Sequence, residues 1–208
     1  SFLTNSRVFR NMFSTISQND MPEFLTFLFN IFHTALKRKV TMTIGGRPKN
    51  KRDKMAKMCY EMIQKEYTEN YSEILNMFYG IHVSTLKRTA GTSSVESGDD
   101  YLSIRPEPFM VISLPIPHQS STRDISLMDC FDLNCESEFM EGDNAWFNET
   151  LGKKQNVYKQ LVYWSLPEIM VIDIKRFEYN PKTDSFVKNQ SNIRIPIENV
   201  NFSKYVEG

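Results

Sequence analysis

The groups in this chain able to act as nucleophile, base or metal ligand are few: three cysteines, Cys59, Cys130 and Cys135, and three histidines, His33, His82 and His118. A thiol attacks a carbonyl as its thiolate, which calls for an imidazole beside it and a polar residue to orient that ring. Cys59 falls among Met55, Met58, Met62 and Ile63 at helical spacing, and a thiol on an apolar helix stripe is ordinarily inert. The three cysteines cannot all pair and have neither zinc-ribbon nor disulfide-framework spacing. The reading is therefore no metal, no cofactor and a reducing compartment. Two carboxylates, Asp20 and Glu23, stand three apart just ahead of an apolar run. Their first meaning is structural, since Asp suits an N-cap and Glu three residues on completes a capping box.

The elements that must position these groups belong to a packed chain. It has 208 residues, with 15 Phe, 11 Met and 9 Tyr against 8 Gly, enough to bury a sizeable core as one domain or a substantial part of one. Lys plus Arg equals Asp plus Glu at 25 each, so no net field argues for a polyanionic partner. No apolar run has the length of a membrane span and the first residues lack the layout of a signal peptide. The expectation is a soluble protein inside the cell, cytoplasmic or nuclear.

Periodicity predicts a short amphipathic helix over Ser6 to Ile16, carried by Val8, Phe9, Met12, Phe13 and Ile16. A second helix begins at Asp20 with Pro22 in its first turn; Phe24 to Leu36 is apolar around most of the circumference, which predicts a buried helix ending at Lys37-Arg38-Lys39. His33 reads as a core or helix-face histidine. Thr41 to Lys57, with Gly45-Gly46, Pro48 and many basic residues, reads as a mobile surface loop. No aromatic residues interleave with its charges to stack bases, so a nucleic-acid partner is not indicated. Helical spacing resumes from Met55. Ile81, Val83 and Thr85 alternate with His82 and Ser84 as a half-exposed strand. Ser126 caps a short helix, Gly152-Lys153-Lys154 turns into a strand over Val157 to Trp164, and Asn180 to Asp184 is a hairpin turn. Ile169 to Ile174 predicts a central strand covered on both faces, with Ile169, Val171, Asp173 and Lys175 on one side and Met170, Ile172, Ile174 and Arg176 on the other.

Several of these stretches together resemble the ubiquitin-specific proteases, the papain-like family of deubiquitinating cysteine peptidases. Pro167 to Phe177 is similar to the family's P-x-I-L-I-I-x-L-K-R-F, and Asn19 to Leu25 to its acidic box Q-D-x-x-E-F-L, with Asn19 for Gln and His33 at the family's histidine. Tyr71 to Gly80 resembles S-x-I-x-x-L-F-x-G, Glu107 to Pro117 resembles E-P-F-x-x-L-S-L-P-I-P, and Ser126 to Phe131 resembles S-L-x-D-C-L. Glu138 to Trp146 is similar to E-x-L-x-G-x-N-x-W, Ile193 to Ile197 to the V-x-F-P strand, and Phe202 to Tyr205 to D-L-S-x-Y. The matches run in family order over residues 18–206.

The resemblance implies an α+β fold, a papain-like fragment in which N-terminal helices precede an antiparallel sheet with fingers-like hairpins. It implies one partial domain over 1–208, with a mainly helical part at 6–79, fingers-like strands at 80–165 and central palm strands at 166–206. It also places Asp20 and Glu23 near the groove that takes ubiquitin's basic C-terminal tail, so substrate contact and capping are both open for them. The family's cysteine and histidine boxes are expected outside this chain. Met58-Cys59-Tyr60 sits on the wrong side of the acidic box to be the nucleophile box, and no catalytic role passes to any residue here. Two functions follow: the ubiquitin-binding fingers and palm of a cysteine deubiquitinase, inactive as this chain alone, or a non-catalytic scaffold, pseudoenzyme or virion component with assembly partners. Family members commonly carry zinc in the fingers on two C-x-x-C pairs, but Lys87 to Asp100 holds no cysteine, and Phe147 to Leu151 follow Trp146 instead. Elemental analysis of the purified protein is accordingly expected to find well under one zinc per chain.

Overall fold

The computed structural model describes Phe13 and residues 20–89, 101–118 and 124–208. Apart from Phe13, the helix expected over Ser6 to Ile16 lies outside the described residues. Among the described residues three helices come first: α1 Met21–Leu36, α2 Lys51–Asn70 and α3 Glu73–Phe78. Asp20 caps α1 through its side chain, which accepts from the Glu23 N–H at 3.1 Å, but the expected capping box is only half formed, since the Glu23 carboxylate does not return a bond to the Asp20 N–H.

Two expectations about these helices need correcting. None of the residues of α1 is buried, and Phe32 and Leu36 are largely exposed. The helix is held along a narrow line: Phe29 packs on Phe78 of α3 with centroids 4.2 Å apart, and the buried Phe13 ring meets Phe24 and Phe27 edge-on. The basic stretch after Pro48 is no loop either. Asn50 accepts from the Asp53 N–H at 2.8 Å and starts α2 at Lys51. Lys and Arg are good helix formers, and Asp53 in the first turn complements the helix dipole, so the charges ride on a helix face.

The strands are β1 Gly80–Arg88, β2 Tyr101–Phe109, β3 Val111–Pro115, β4 Ile125–Ser126, β5 Glu138–Met140, β6 Trp146–Asn148, β7 Lys153–Gln155, β8 Val157–Ser165, β9 Val171–Lys175, β10 Phe177–Asn180, β11 Ser185–Lys188 and β12 Ile193–Arg194; α4, Leu127–Asn134, lies between β4 and β5. The largest sheet runs β2-β1-β8-β5 and is antiparallel throughout. Pro106 and Pro108 of β2 lie opposite Val83 and Ile81. Two prolines at i and i+2 point their donor-less nitrogens to the same side, so β2 has to be an edge strand with that side outward.

Alternation along the inner strands separates two cores. Ile81 and Val83 of β1 face α2, where they join Met55, Cys59 and Trp164; Thr85 is buried in the same phase, as its spacing predicts. On the other face Phe109 and Tyr163 join β3, α4 and Tyr205 around Leu114 and Phe131, both fully buried. The neighbours Tyr163 and Trp164 of β8 thus enter opposite cores, 2% and 7% exposed. Ser126 and Asp129 cap α4 reciprocally, each side chain bonded to the other's backbone N–H.

The α+β class holds, with two short parallel pairings added, β3 with β9 and β4 with β12. β9 departs from the expected central strand. Met170, Ile172 and Ile174 do pack on the second core, but the strand starts only at Val171, and Ile169 is 44% exposed. Among the described residues β9 has a single strand neighbour, and Asp173 and Lys175 keep its other face polar, so one face is covered rather than two.

Gly80, where β1 leaves α3, tests the packing. A Cβ there would lie 2.5 Å from the Phe109 ring and 2.6 Å from the Ser165 carbonyl oxygen. The ring is held in a core and the carbonyl belongs to the sheet. Gly80→Ala is expected to destabilise the fold by about 1–3 kcal/mol, read as a lower denaturant midpoint with an unchanged m-value.

Candidate functional site

The sequence-predicted pair Asp20 and Glu23 lies on the first turn of α1, and the structure brings them together there with both side chains exposed. One Asp20 oxygen is committed to the cap. α1 in turn is fixed from its far end: His33 Nδ1 and the Ser72 hydroxyl, which is fully buried at the start of α3, lie 2.7 Å apart. The helix-face reading of His33 therefore stands, and its ring serves to join α1 to α3.

The other histidines are equally accounted for. His82 Nε2 stands 3.5 Å from Glu107 across β1 and β2, with its ring stacked on Phe109, and His118 is exposed. The three thiols are free. Cys59 is fully buried and burial pushes its pKa up to about 12. Burial likewise raises Cys130, with the Asp129 charge adding to it, and takes Cys135 to about 11. Raised thiol pKa values are the opposite of what nucleophilic attack at neutral pH requires.

The residues present do not fit a fingers zinc site. Directly after Trp146, the Asn148 side chain ties the β6–β7 turn, its amide donating to Gln155 Oε1 at 2.8 Å and its oxygen accepting from the Leu151 N–H at 3.2 Å. This offers a metal no thiolate or imidazole. Among the described residues no group of three or more His, Cys, Asp or Glu is placed to hold a metal.

Sequence reasoning missed two features. Arg176 donates to the carbonyls of Asn189 at 3.2 Å and Ser191 at 2.9 Å, clamping the chain that leaves β11 back onto the end of β9. Beyond it, β10 and β11 pair Tyr179 with Phe186 and Phe177 with Lys188, which puts three aromatic rings on one hairpin face, 55–73% exposed. Reading the strands on both sides of the Asn180 to Asp184 turn against one another would have shown this face, because directly opposed residues of an antiparallel pair share a side.

A family model described as ubiquitin carboxyl-terminal hydrolase matches residues 1–208. The chain is similar to "Ubiquitin carboxyl-terminal hydrolase 4" of Saccharomyces cerevisiae, 29% identical over 174 residues that cover 81% of this chain and 18% of that protein. It is similar also to the protein of the same description from Candida glabrata, 27% identical over 197 residues, covering 89% of this chain and 20% of the relative. "Ubiquitin carboxyl-terminal hydrolase 21" of Bos taurus is 27% identical over 213 residues, covering 93% of this chain and 35% of its own length. The chain thus spans about a fifth of the yeast relatives' length and about a third of the bovine one.

Burial at Cys59 has a measurable consequence. A thiol pKa raised from 9.0 to about 12 favours the neutral form in the folded state, so the stability it confers is complete below about pH 8.5 and is lost as pH rises toward 12. At pH 8 the native protein is expected to leave Cys59 unalkylated by iodoacetamide, with full labelling in denaturant, as peptide mass mapping would read.

Proposed function

From the premise that this chain belongs to the ubiquitin carboxyl-terminal hydrolase family, we propose that it is the part of a cysteine-type deubiquitinase that grips ubiquitin, with the catalytic cysteine and histidine supplied by other parts of the protein. The observation that carries this reading is the family match over all 208 residues, joined to thiols whose burial argues against nucleophilic use. The substrates are ubiquitinated proteins, and the site of action is inside the cell, cytoplasmic or nuclear. No helix among the described residues is long and apolar enough to cross a membrane.

Within this reading, Asp20 and Glu23 receive the basic tail of ubiquitin. Their support is positional. Both are exposed on one helical turn, and the cap occupies the Glu23 backbone N–H and one Asp20 oxygen rather than the Glu23 carboxylate. The two roles are compatible, because a cap bond to a backbone amide leaves the net charge in place. Attraction between these carboxylates and a basic peptide at a partly desolvated groove contributes specificity and a salt-dependent association rate. The sheet β2-β1-β8-β5, with its short β5 and β6–β7 extensions, forms the fingers of this reading, and β9 to β11 the palm.

Asp20→Asn separates capping from charge, since Asn is as good an N-cap as Asp. In the full-length protein the variant is expected to bind ubiquitin more weakly by about 1 kcal/mol, roughly fivefold in Kd. Its salt dependence should be reduced and its melting temperature nearly unchanged. Unchanged affinity would leave capping as the whole role of Asp20, and an absence of ubiquitin binding by the parent protein would refute the reading itself.

A further inference from the structure

Where α1, α2, α3 and the start of β1 meet, they enclose a cavity of about 130 Å³. It lies apart from the exposed first turn of α1, and neither Asp20, Glu23 nor any cysteine lines it. Its floor is apolar, from Met62, Ile63 and Leu75, its mouth opens to solvent beside the exposed Glu66, and an apolar space of this order holds a molecule the size of benzene. Its walls are of another kind. Tyr67 and Tyr79 contribute two aromatic side chains, His33 a third ring, and Glu66 a carboxylate.

Three details make these walls selective. Burial holds both phenols above the usual tyrosine range, aided at Tyr67 by Tyr71, Tyr79 and then Glu66 and at Tyr79 by Glu66, so both rings are partly desolvated and lie within the field of Glu66. Glu66 has no ion-pair partner among the described residues. His33 is turned by its Nδ1 bond to Ser72, which prevents that nitrogen from serving as a donor into the cavity. Aromatic rings with an unpaired carboxylate beside an apolar floor attract a cation that also carries apolar surface, because ring quadrupole and carboxylate both favour positive charge while methyl groups fill the floor. A metal ion fits poorly, since a single carboxylate cannot replace its hydration shell. A hydrated inorganic cation would gain nothing from the floor.

We propose that this cavity is a binding site for a small methylated ammonium group. Its source is either a free amine such as choline or the side chain of a methylated lysine. The proposal is independent of ubiquitin binding.

The test uses the full-length protein carrying ¹³C-methyl methionine, with the Met62 signal assigned through Met62→Leu. Tetramethylammonium chloride is titrated against sodium chloride at equal concentration. The expected result is a saturable shift of the Met62 methyl signal in the millimolar range. In Glu66→Gln, and again in Tyr79→Leu, the affinity should fall about tenfold. tert-Butanol has nearly the same shape without the charge, and should bind about tenfold more weakly to the unaltered protein. That comparison needs no variant, so it stands even if Tyr79→Leu fails to fold. Choline and a trimethyllysine peptide, run alongside, distinguish the two sources, and saturation by either supports the site. An absence of a saturable shift would overturn the proposal. So would equal binding of tert-butanol, or an unchanged affinity in a folded Glu66→Gln.

Discussion

The structure depends on burying both faces of one strand. β8 sends Tyr163 into one core and Trp164, its neighbour in sequence, into the other, so a single stretch of backbone is the wall shared by two packed layers. A strand buried on both sides cannot shift its register by one residue without exchanging the occupants of both cores. That constraint fixes where β1 lies, and β1 fixes α2 on one side and β2 on the other. On the second core, Tyr163 is also fastened through its hydroxyl, which accepts from the Asn134 amide at 2.9 Å at the end of α4. The Tyr205 hydroxyl donates to Asp132 of the same helix at 2.6 Å, and the Asp132 carboxylate is held below its usual range by Lys204 and Tyr205. The last described turn of the chain is thereby joined to the middle of it.

Much of this was legible in the residues because local chemistry has few solutions. The caps at Asp20 and Ser126, the alternation of Ile81, Val83 and Thr85, and the hairpin turn after Asn180 are rules acting over a handful of positions, and each recurs in the structure. What was not legible depends on partners distant in sequence. The apolar circumference of Phe24 to Leu36 predicts burial, but how many neighbours reach that helix is set by the tertiary arrangement. The apolar run Ile169 to Ile174 predicts the double-faced strand, which the structure places at β8, whose outer residues Tyr158 and Lys159 dilute the apolar signal. The cap at Asn50 is hidden in the sequence by the glycines, proline and charges around it, which have the composition of a loop.

The candidate site divides along the same line. Asp20 and Glu23 could be singled out because they lie three apart at a helix start, and their exposure on one turn agrees with a binding role as well as a capping one. The roles of the cysteines were equally open to sequence reasoning at Cys59, where helical spacing already placed the thiol in a core. The Arg176 clamp and the aromatic face of β10 and β11 require knowing which residues lie opposite one another, which periodicity alone does not supply.

The prolines of β2 have a consequence for how the molecule meets its own kind. An exposed sheet edge is a row of unsatisfied donors and acceptors on which a second chain can pair. At Pro106 and Pro108 two successive outward donors are missing, so an incoming strand would find alternate rungs of that ladder absent. At the opposite edge β5 offers a strand of only three residues. The main sheet is therefore a poor template for strand-by-strand accretion from either side, and its protection against self-association is written into backbone chemistry rather than surface charge.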